Sequence, residues 1–358
     1  MKIYIKFIIF EFIKSFFYVF LIMCGLILIL NILTEIDFFR DKIVKNYLPL
    51  YLSVLNSPNL LFEIFPFIFL LCTQIFFIKF LENNQIQIFK YFGLKNSKIL
   101  SILFFTTFFL GLLIIIFFYN FSANFKNYYL EIKNKYSSDQ RYLAMVTRNG
   151  LWIKEIIDNK TQIINASSIK NDFLIEAFIS EFDEYNNLIR NIKSDKINIK
   201  NKIWVIETPL IYENNETVNL SKNLFKNSNF DSTLIKSLFS NLSSQTIMEL
   251  IELKKNYESF KYSTIEIDLQ LNKIYSYPFF LSLMTLLSTL IMFNSKNFKS
   301  YTLKITIGLF LSVLIFYLNN FFQIMGKTEK ISVIVSIWCP LFILASINFL
   351  MTFRINEK

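Results

Sequence analysis

A polar block of roughly residues 120–275 stands between two groups of strongly apolar runs, three before it and three after. The runs lie near Ser15–Leu33, Leu60–Phe80, Ile99–Tyr119, Tyr277–Phe293, Ile305–Ile324 and Ile331–Phe353. Each is long enough to cross a bilayer as a helix, which takes about 20 residues. In lipid every backbone polar group must be satisfied within the segment, so runs of this kind fold as transmembrane helices. The expected fold class is therefore a polytopic α-helical membrane protein of six spans with one large water-exposed insert.

Composition narrows the chemistry. Hydrophobic residues make up 54% of the 358, with 43 Phe, too apolar for an ordinary soluble domain. The net charge of +10 is read as loop charge that sets orientation, not as a nucleic-acid surface. Cys24, Cys72 and Cys339 all fall inside the runs, so no disulfide framework holds the insert. The chain has no His, which excludes His-based metal sites, triads and general bases. No Gly-rich phosphate loop is present, so ATP is not bound through a P-loop of its own. No catalytic residue, metal site or cofactor is expected.

The basic start, Lys2, Lys6 and Lys14, precedes a run too long for a signal-peptide core and without a small-residue cleavage site. It is read as an uncleaved first span. With the N-terminus inside, the inner segments hold Lys90, Lys95, Lys98, Lys296, Lys299, Lys304, Arg354 and Lys358 besides those three lysines. The short outer segments hold only Arg40, Lys42, Lys45, Lys327 and Lys330, diluted by acids. The expectation is both termini cytoplasmic and the insert extracytoplasmic.

Within the insert, Asn149-Gly150 between β-prone runs is a strong hairpin signal. Asp158-Asn159-Lys160, Asn186-Asn187, Asn201-Lys202 and Asn214-Asn215 punctuate later runs such as Trp204–Thr208. That spacing predicts an antiparallel sandwich. Thr246 and Glu249 have capping-box spacing and predict a short helix over about 246–257. The domain organisation is thus 1–119 with spans one to three, 120–275 as the insert, and 276–358 with spans four to six.

Three constellations carry candidate function. In the inner loop 82–95, Gln85, Ile86, Phe89 and Gly93 fall at helical spacing, with Gly93 suited to end the helix. Such an amphipathic helix either docks in a groove of a soluble partner or lies on the lipid surface. Arg40, Lys42 and Lys45, just outside span one, either meet a lipid phosphate or are loop charge balanced by Asp37 and Asp41. Asn319, Asn320 and Gln323 in span five either bond between helices or line a polar cavity. Glu63, near the outer end of span two, is either a functional intramembrane acid or an interfacial one, and the interfacial reading is preferred.

Several local patterns, in this order, resemble the LptF/LptG permeases of lipopolysaccharide export. Pro58-x7-Pro66 resembles the paired prolines entering that family's second span. Residues 85–93 occupy the place of its coupling helix, although the family commonly carries an acid where this chain has Gln85. Gly150-Leu151-Trp152-Ile153-Lys154 resembles a strand opening more typical of LptG, and Leu271 to Pro278 matches the return into the membrane. The resemblance covers essentially the whole chain. It implies a β-jellyroll in the insert, a heterodimer with an LptF-like permease, an LptB-like cytoplasmic ATPase dimer and an LptC-like periplasmic protein. It further implies that lipopolysaccharide is drawn from the inner membrane of a Gram-negative bacterium, with Arg40, Lys42 and Lys45 near the cargo cavity and ATP hydrolysed by the partner. The rival reading is a membrane-anchored scaffold or sensor that binds a periplasmic partner and transports nothing. An intramembrane hydrolase is disfavoured by the lack of His, and a lipoprotein-release permease by the six-span layout.

Overall fold

The computed structural model describes residues 3–136, 151–157, 159–170, 172–185, 187–213, 216–219, 222–238, 241–259, 262–293 and 300–356. The Asn149-Gly150 hairpin signal, Asp158, Asn186 and Asn214-Asn215 lie outside the described residues. The chain forms two compact units. One comprises Met1–Tyr129, Ser243–Lys254 and Ser263–Lys358, the other Leu130–Leu242 and Lys255–Tyr262.

The first unit is helical. Helices α1 (Ile3–Phe39), α2 (Leu48–Glu82), α3 (Gln85–Tyr91) and α4 (Asn96–Leu113) come first. A π-helical stretch, Ile114–Tyr119, joins α4 to α5 (Asn120–Lys135). After the strands and α6 (Ser232–Leu238), which belong to the second unit, come α7 (Ile247–Ser259), α8 (Ile265–Phe293), α9 (Tyr301–Lys327) and α10 (Val333–Asn356). Six of the described helical stretches are long and apolar enough to cross a membrane, taking Asn96–Lys135 as one. They run well past the apolar runs that mark them, because polar residues continue the helical face. Along α5, for example, Ser122, Ala123, Tyr129, Leu130 and Lys133 are buried at spacings of one, six, one and three.

Within this unit α2 and α8 are central: 67% and 72% of their most apolar windows are buried, against 22% in α1 and 11% in α9. Aromatic rings join α1 to α2, with Phe16 4.9 Å from Phe69, Phe20 5.9 Å from Phe65 and Phe12 5.9 Å from Phe76, centroid to centroid. Amide and hydroxyl groups tie the same pair further along. Asn31 Nδ2 donates to the Ser53 carbonyl at 2.9 Å, Asn56 Nδ2 to Asn31 Oδ1 at 3.1 Å, and Lys126 Nζ of α5 to Asn56 Oδ1 at 2.6 Å. The Tyr129 hydroxyl donates to buried Glu35 at 2.8 Å.

Proline chemistry locks α2 to α8. A proline inside a helix deprives the carbonyl four residues earlier of its partner, and Pro66 leaves the Phe62 carbonyl in that position. The hydroxyl of Tyr277 on α8 donates to it, and the Tyr277 ring stacks on Phe62 at 4.5 Å. Ser288 Oγ of α8 donates to the Leu70 carbonyl of α2 at 2.8 Å, and Asn348 Nδ2 of α10 to the Leu283 carbonyl of α8 at 2.9 Å. At the other end of α8, Lys304 Nζ donates to the Met292 carbonyl at 2.8 Å, satisfying a C-terminal group.

Small residues let α4 approach α8. A Cβ built on Gly111 stands 2.9 Å from Pro278 Cα, while Thr107 Oγ1 and Thr285 Oγ1 are hydrogen-bonded at 3.2 Å. Backbone cannot give way there as a flexible side chain would. Gly111→Ile is expected to force the helices apart at a cost of about 1–3 kcal/mol. Thermal unfolding in detergent checks this, the midpoints falling in the order wild type, Gly111→Ala, Gly111→Ile.

The second unit carries β1 (Leu151–Ile157), β2 (Lys160–Ala166), β3 (Ser168–Lys170), β4 (Phe173–Phe182), β5 (Leu188–Asn198), β6 (Ile203–Ile206), β7 (Leu210–Glu213), β8 (Glu216–Asn219) and β9 (Leu224–Asn227). All pair antiparallel in one curled, jellyroll-like sheet of order β1-β2-β4-β5-β6-β9, with β3 beside β4 and β7-β8 beside β5. The insert is thus the all-β, jellyroll-like fold that was expected, built as one continuous sheet in which β4 and β5 are the longest strands. Glu176, at φ 49°, bends β4 between the half paired with β2 and the half paired with β3.

Register fills the interior. Ile153, Ile164, Ile179, Ile192 and Ile211 stand opposite one another across five strands, a single row of isoleucines. Two residues along, Glu155, Gln162, Glu181 and Arg190 form a polar row on the same face. Trp204 closes the interior, its Nε1 donating to the Phe230 carbonyl at 2.7 Å. Thr246 and Glu249 exchange capping bonds at the start of α7: Thr246 N donates to Glu249 Oε2 at 2.7 Å, and Glu249 N to Thr246 Oγ1 at 3.4 Å.

Candidate functional site

The helical unit encloses an open cavity of about 490 Å³ between α2, α8, α9 and α10. Phe62, Ile64, Phe67, Phe280, Met284, Val313, Phe316, Ile337 and Leu341 give it an apolar wall. Glu63 from α2, Lys273 and Ser276 from α8, Asn319, Asn320 and Gln323 from α9, and Ser336 from α10 supply polar groups. Each position follows from its helix. Asn319, Asn320 and Gln323 share one face because residues three and four apart are neighbours on a helix. Lys273 enters the cavity because α8 begins at Ile265, eight residues before it.

Polar side chains inside a bundle ordinarily bond to one another or to backbone. These largely do not. Among the described residues, Lys273 Nζ and the side-chain amides of Asn319, Asn320 and Gln323 make no hydrogen bond or ion pair. Glu63 takes only a long bond, 3.5 Å, from Asn59 Nδ2. The arrangement is an apolar slot with free donors, a cation and a carboxylate on its walls. It suits an amphiphile of mixed polarity.

The other expected residues lie elsewhere. Arg40 is exposed, Lys42 holds its ammonium 3.5 Å over the Phe38 ring, and Lys45 sits 5.8 Å over Tyr47. None of the three lines the cavity. Gln85, Ile86 and Phe89 are on α3, and Gly93 closes it. Gly93 has φ +77°, its N–H donates to the Lys90 carbonyl at 2.9 Å and that of Leu94 to the Phe89 carbonyl at 2.9 Å. This is the left-handed glycine ending that the spacing predicts. Ile86 and Phe89 turn inward, Phe89 lying 5.9 Å from Phe80 and 6.2 Å from Phe7. The outward face holds Ile88, Tyr91 and Phe92, with Tyr91 90% and Phe92 85% exposed.

The two charged residues of the cavity lining were not placed there from the sequence. Glu63 reads as an interfacial acid, and Lys273 as part of the loop before span four. The available signal for Lys273 is an ionisable residue four positions before Tyr277-Pro278, within helical reach of an apolar run.

Fold and site together define a polytopic membrane protein with an amphipathic cavity among its spans and a jellyroll-like sheet inserted between the third and fourth. The family model of the lipopolysaccharide export system permease LptF/LptG matches residues 6–354, nearly the whole chain. The chain belongs to that family, and is accordingly a multi-pass inner-membrane permease of lipopolysaccharide export. None of the curated proteins matches it.

Proposed function

We propose that the chain is the LptG-like half of an ATP-driven lipopolysaccharide exporter, taking the lipid from the inner membrane and passing it to a periplasmic β-jellyroll bridge. The observation that carries this is the cavity, whose polar side chains are free for a ligand. Asn319 and Gln323 meet polar groups of the cargo there, while Arg40, Lys42 and Lys45, just past the end of α1, offer charge to the head group. The distribution of basic residues supports cytoplasmic termini and a periplasmic segment 120–275. An LptF-like permease completes the cavity, an LptB-like ATPase dimer drives it from below through α3, and an LptC-like protein receives the cargo. Closure of the ATPase on nucleotide reaches the spans through the coupling helix, which biases a two-state arrangement of the bundle.

A photocrosslinking amino acid at Phe316, on the cavity wall, is expected to capture lipopolysaccharide in cells, with the adduct accumulating when ATP hydrolysis is blocked. A scaffold or sensor that moves nothing gives no lipid adduct there, and that result would sink the proposal.

A further inference from the structure

Among the described residues that line the cavity, Lys273 of α8 is the one lysine and Glu63 of α2 the one carboxylate, and the two form no ion pair with each other. Lys273 is half-buried, on the third turn of α8, and its ammonium has no hydrogen-bond or ion-pair partner among the described residues. A cation held without a partner beside apolar side chains is costly unless an anion meets it. The neighbouring amides can satisfy hydroxyls and amides of a ligand, but they cannot supply negative charge. Glu63 can, yet its carboxylate is left to Asn59.

We propose that Lys273 is the residue that selects a phosphorylated head group, and that Glu63 limits how tightly the phosphate is held so that the lipid can leave. This rests on the cavity's being the cargo site. Lys273 donates charge-assisted hydrogen bonds to phosphate oxygens, the stronger kind of polar contact. Glu63, of the same sign as the phosphate and on the neighbouring helix α2, weakens the complex by like-charge repulsion. A carrier that must release its cargo on every cycle gains from that opposition, since uniformly tight binding would hold the lipid in place.

The test uses the whole chain in its complex, reconstituted in nanodiscs, with the photocrosslinker at Phe316. Two probes are compared: bisphosphoryl lipid A and the same glycolipid with both phosphates removed. Lys273→Gln is expected to lower the adduct with the bisphosphorylated lipid about tenfold, to leave the dephosphorylated lipid unchanged, and to be rescued by Lys273→Arg. Glu63→Gln is expected to raise the bisphosphorylated adduct and to slow its loss on adding ATP. A purely structural role moves both variants downward and affects both lipids alike, and either result overturns the inference. If the wild type captures neither lipid, the cavity reading itself fails and the inference falls with it.

Discussion

Replacing Tyr91 and Phe92 of α3 together by glutamate is expected to strip the ATPase from the purified complex while the chain remains folded in the membrane. The reason lies in how α3 is built. Ile86 is 5% exposed and Phe89 packs among Phe7 and Phe80, so these residues hold α3 to α1 and α2. Tyr91 and Phe92 project the other way and touch little of their own chain. Large exposed aromatics next to an ordered backbone are what an interface anchor requires, and losing such an anchor typically costs 2 kcal/mol or more, roughly thirtyfold in affinity. Two carboxylates in its place add desolvation to the loss.

Phe89→Ala separates anchoring from docking. It removes ring contacts inside the chain and leaves the outward face intact, so it is expected to loosen α3 and weaken co-purification only in part. The measurement is the ratio of ATPase to permease recovered from gentle detergent as salt is raised. Equal recovery from wild type and the Tyr91–Phe92 double variant would show that α3 lies on lipid instead of protein.

The same helix shows what a sequence reveals of a fold. Its existence and its glycine ending follow from local spacing, because a left-handed C-terminal position calls for glycine wherever the helix sits. Which side faces inward does not follow, since Ile86, Ile88, Phe89, Tyr91 and Phe92 are all apolar and only the packing of Phe7 and Phe80 chooses among them. The six spans were legible for a similar reason: hydrophobic length is a local property. The sheet was legible as short strands with turn residues between them. That it is one curled sheet depends on β4 and β5 bending at particular residues, among them a left-handed Glu176, which no propensity announces. Of the cavity, Asn319, Asn320 and Gln323 were visible as polar residues in an apolar run. Lys273 was not, because the apolar run ends at Tyr277 and only the helix beyond it carries the lysine inward.

In the second unit, Glu181→Ala is expected to be among the most destabilising single changes, and Glu155→Gln among the mildest at a buried charge. Glu181, 5% exposed, stands between two cations. Arg190 Nε donates to it at 2.7 Å from the facing strand, and Lys226 reaches it from β9. Removing the carboxylate leaves those cations without their counter-ion at a mostly buried site, a change of about 3–5 kcal/mol at full burial and less here because Arg190 is 34% exposed. Glu155 faces different partners: Ser228 Oγ and the Asn229 N–H each donate to Oε2 at 3.0 Å. A glutamine oxygen can accept both bonds, and the charge it removes has been taken out of water.

The two carboxyls also titrate in opposite senses. Burial raises Glu181, but hydrogen bonds from Arg190 and Lys226 outweigh it and hold the group below its usual value of 4.5. Burial raises Glu155 as well, and there the bonds from Asn229 and Ser228 do not cancel it. A group lowered on folding stabilises above its unfolded value, and that stability is lost as pH falls through the folded value. Glu181 therefore supports the sheet down to about pH 4.5 and fails below it. A raised carboxyl has the reverse sign: Glu155 costs stability near neutrality, and the cost is relieved as pH falls toward 4.5. Hydrogen exchange of the full chain, corrected for intrinsic rates, reads both effects on separate peptides. Protection in β1 is expected to hold or rise from pH 7 to 5, whereas protection in β4, β5 and β9 collapses below 4.5. In Glu181→Ala that collapse disappears, because the group responsible is gone and the strands are already weakly protected at pH 7. Full protection of β4 in Glu181→Ala at pH 7 would show that Arg190 and Lys226 reach water unaided, and that the polar row is not held by its charges.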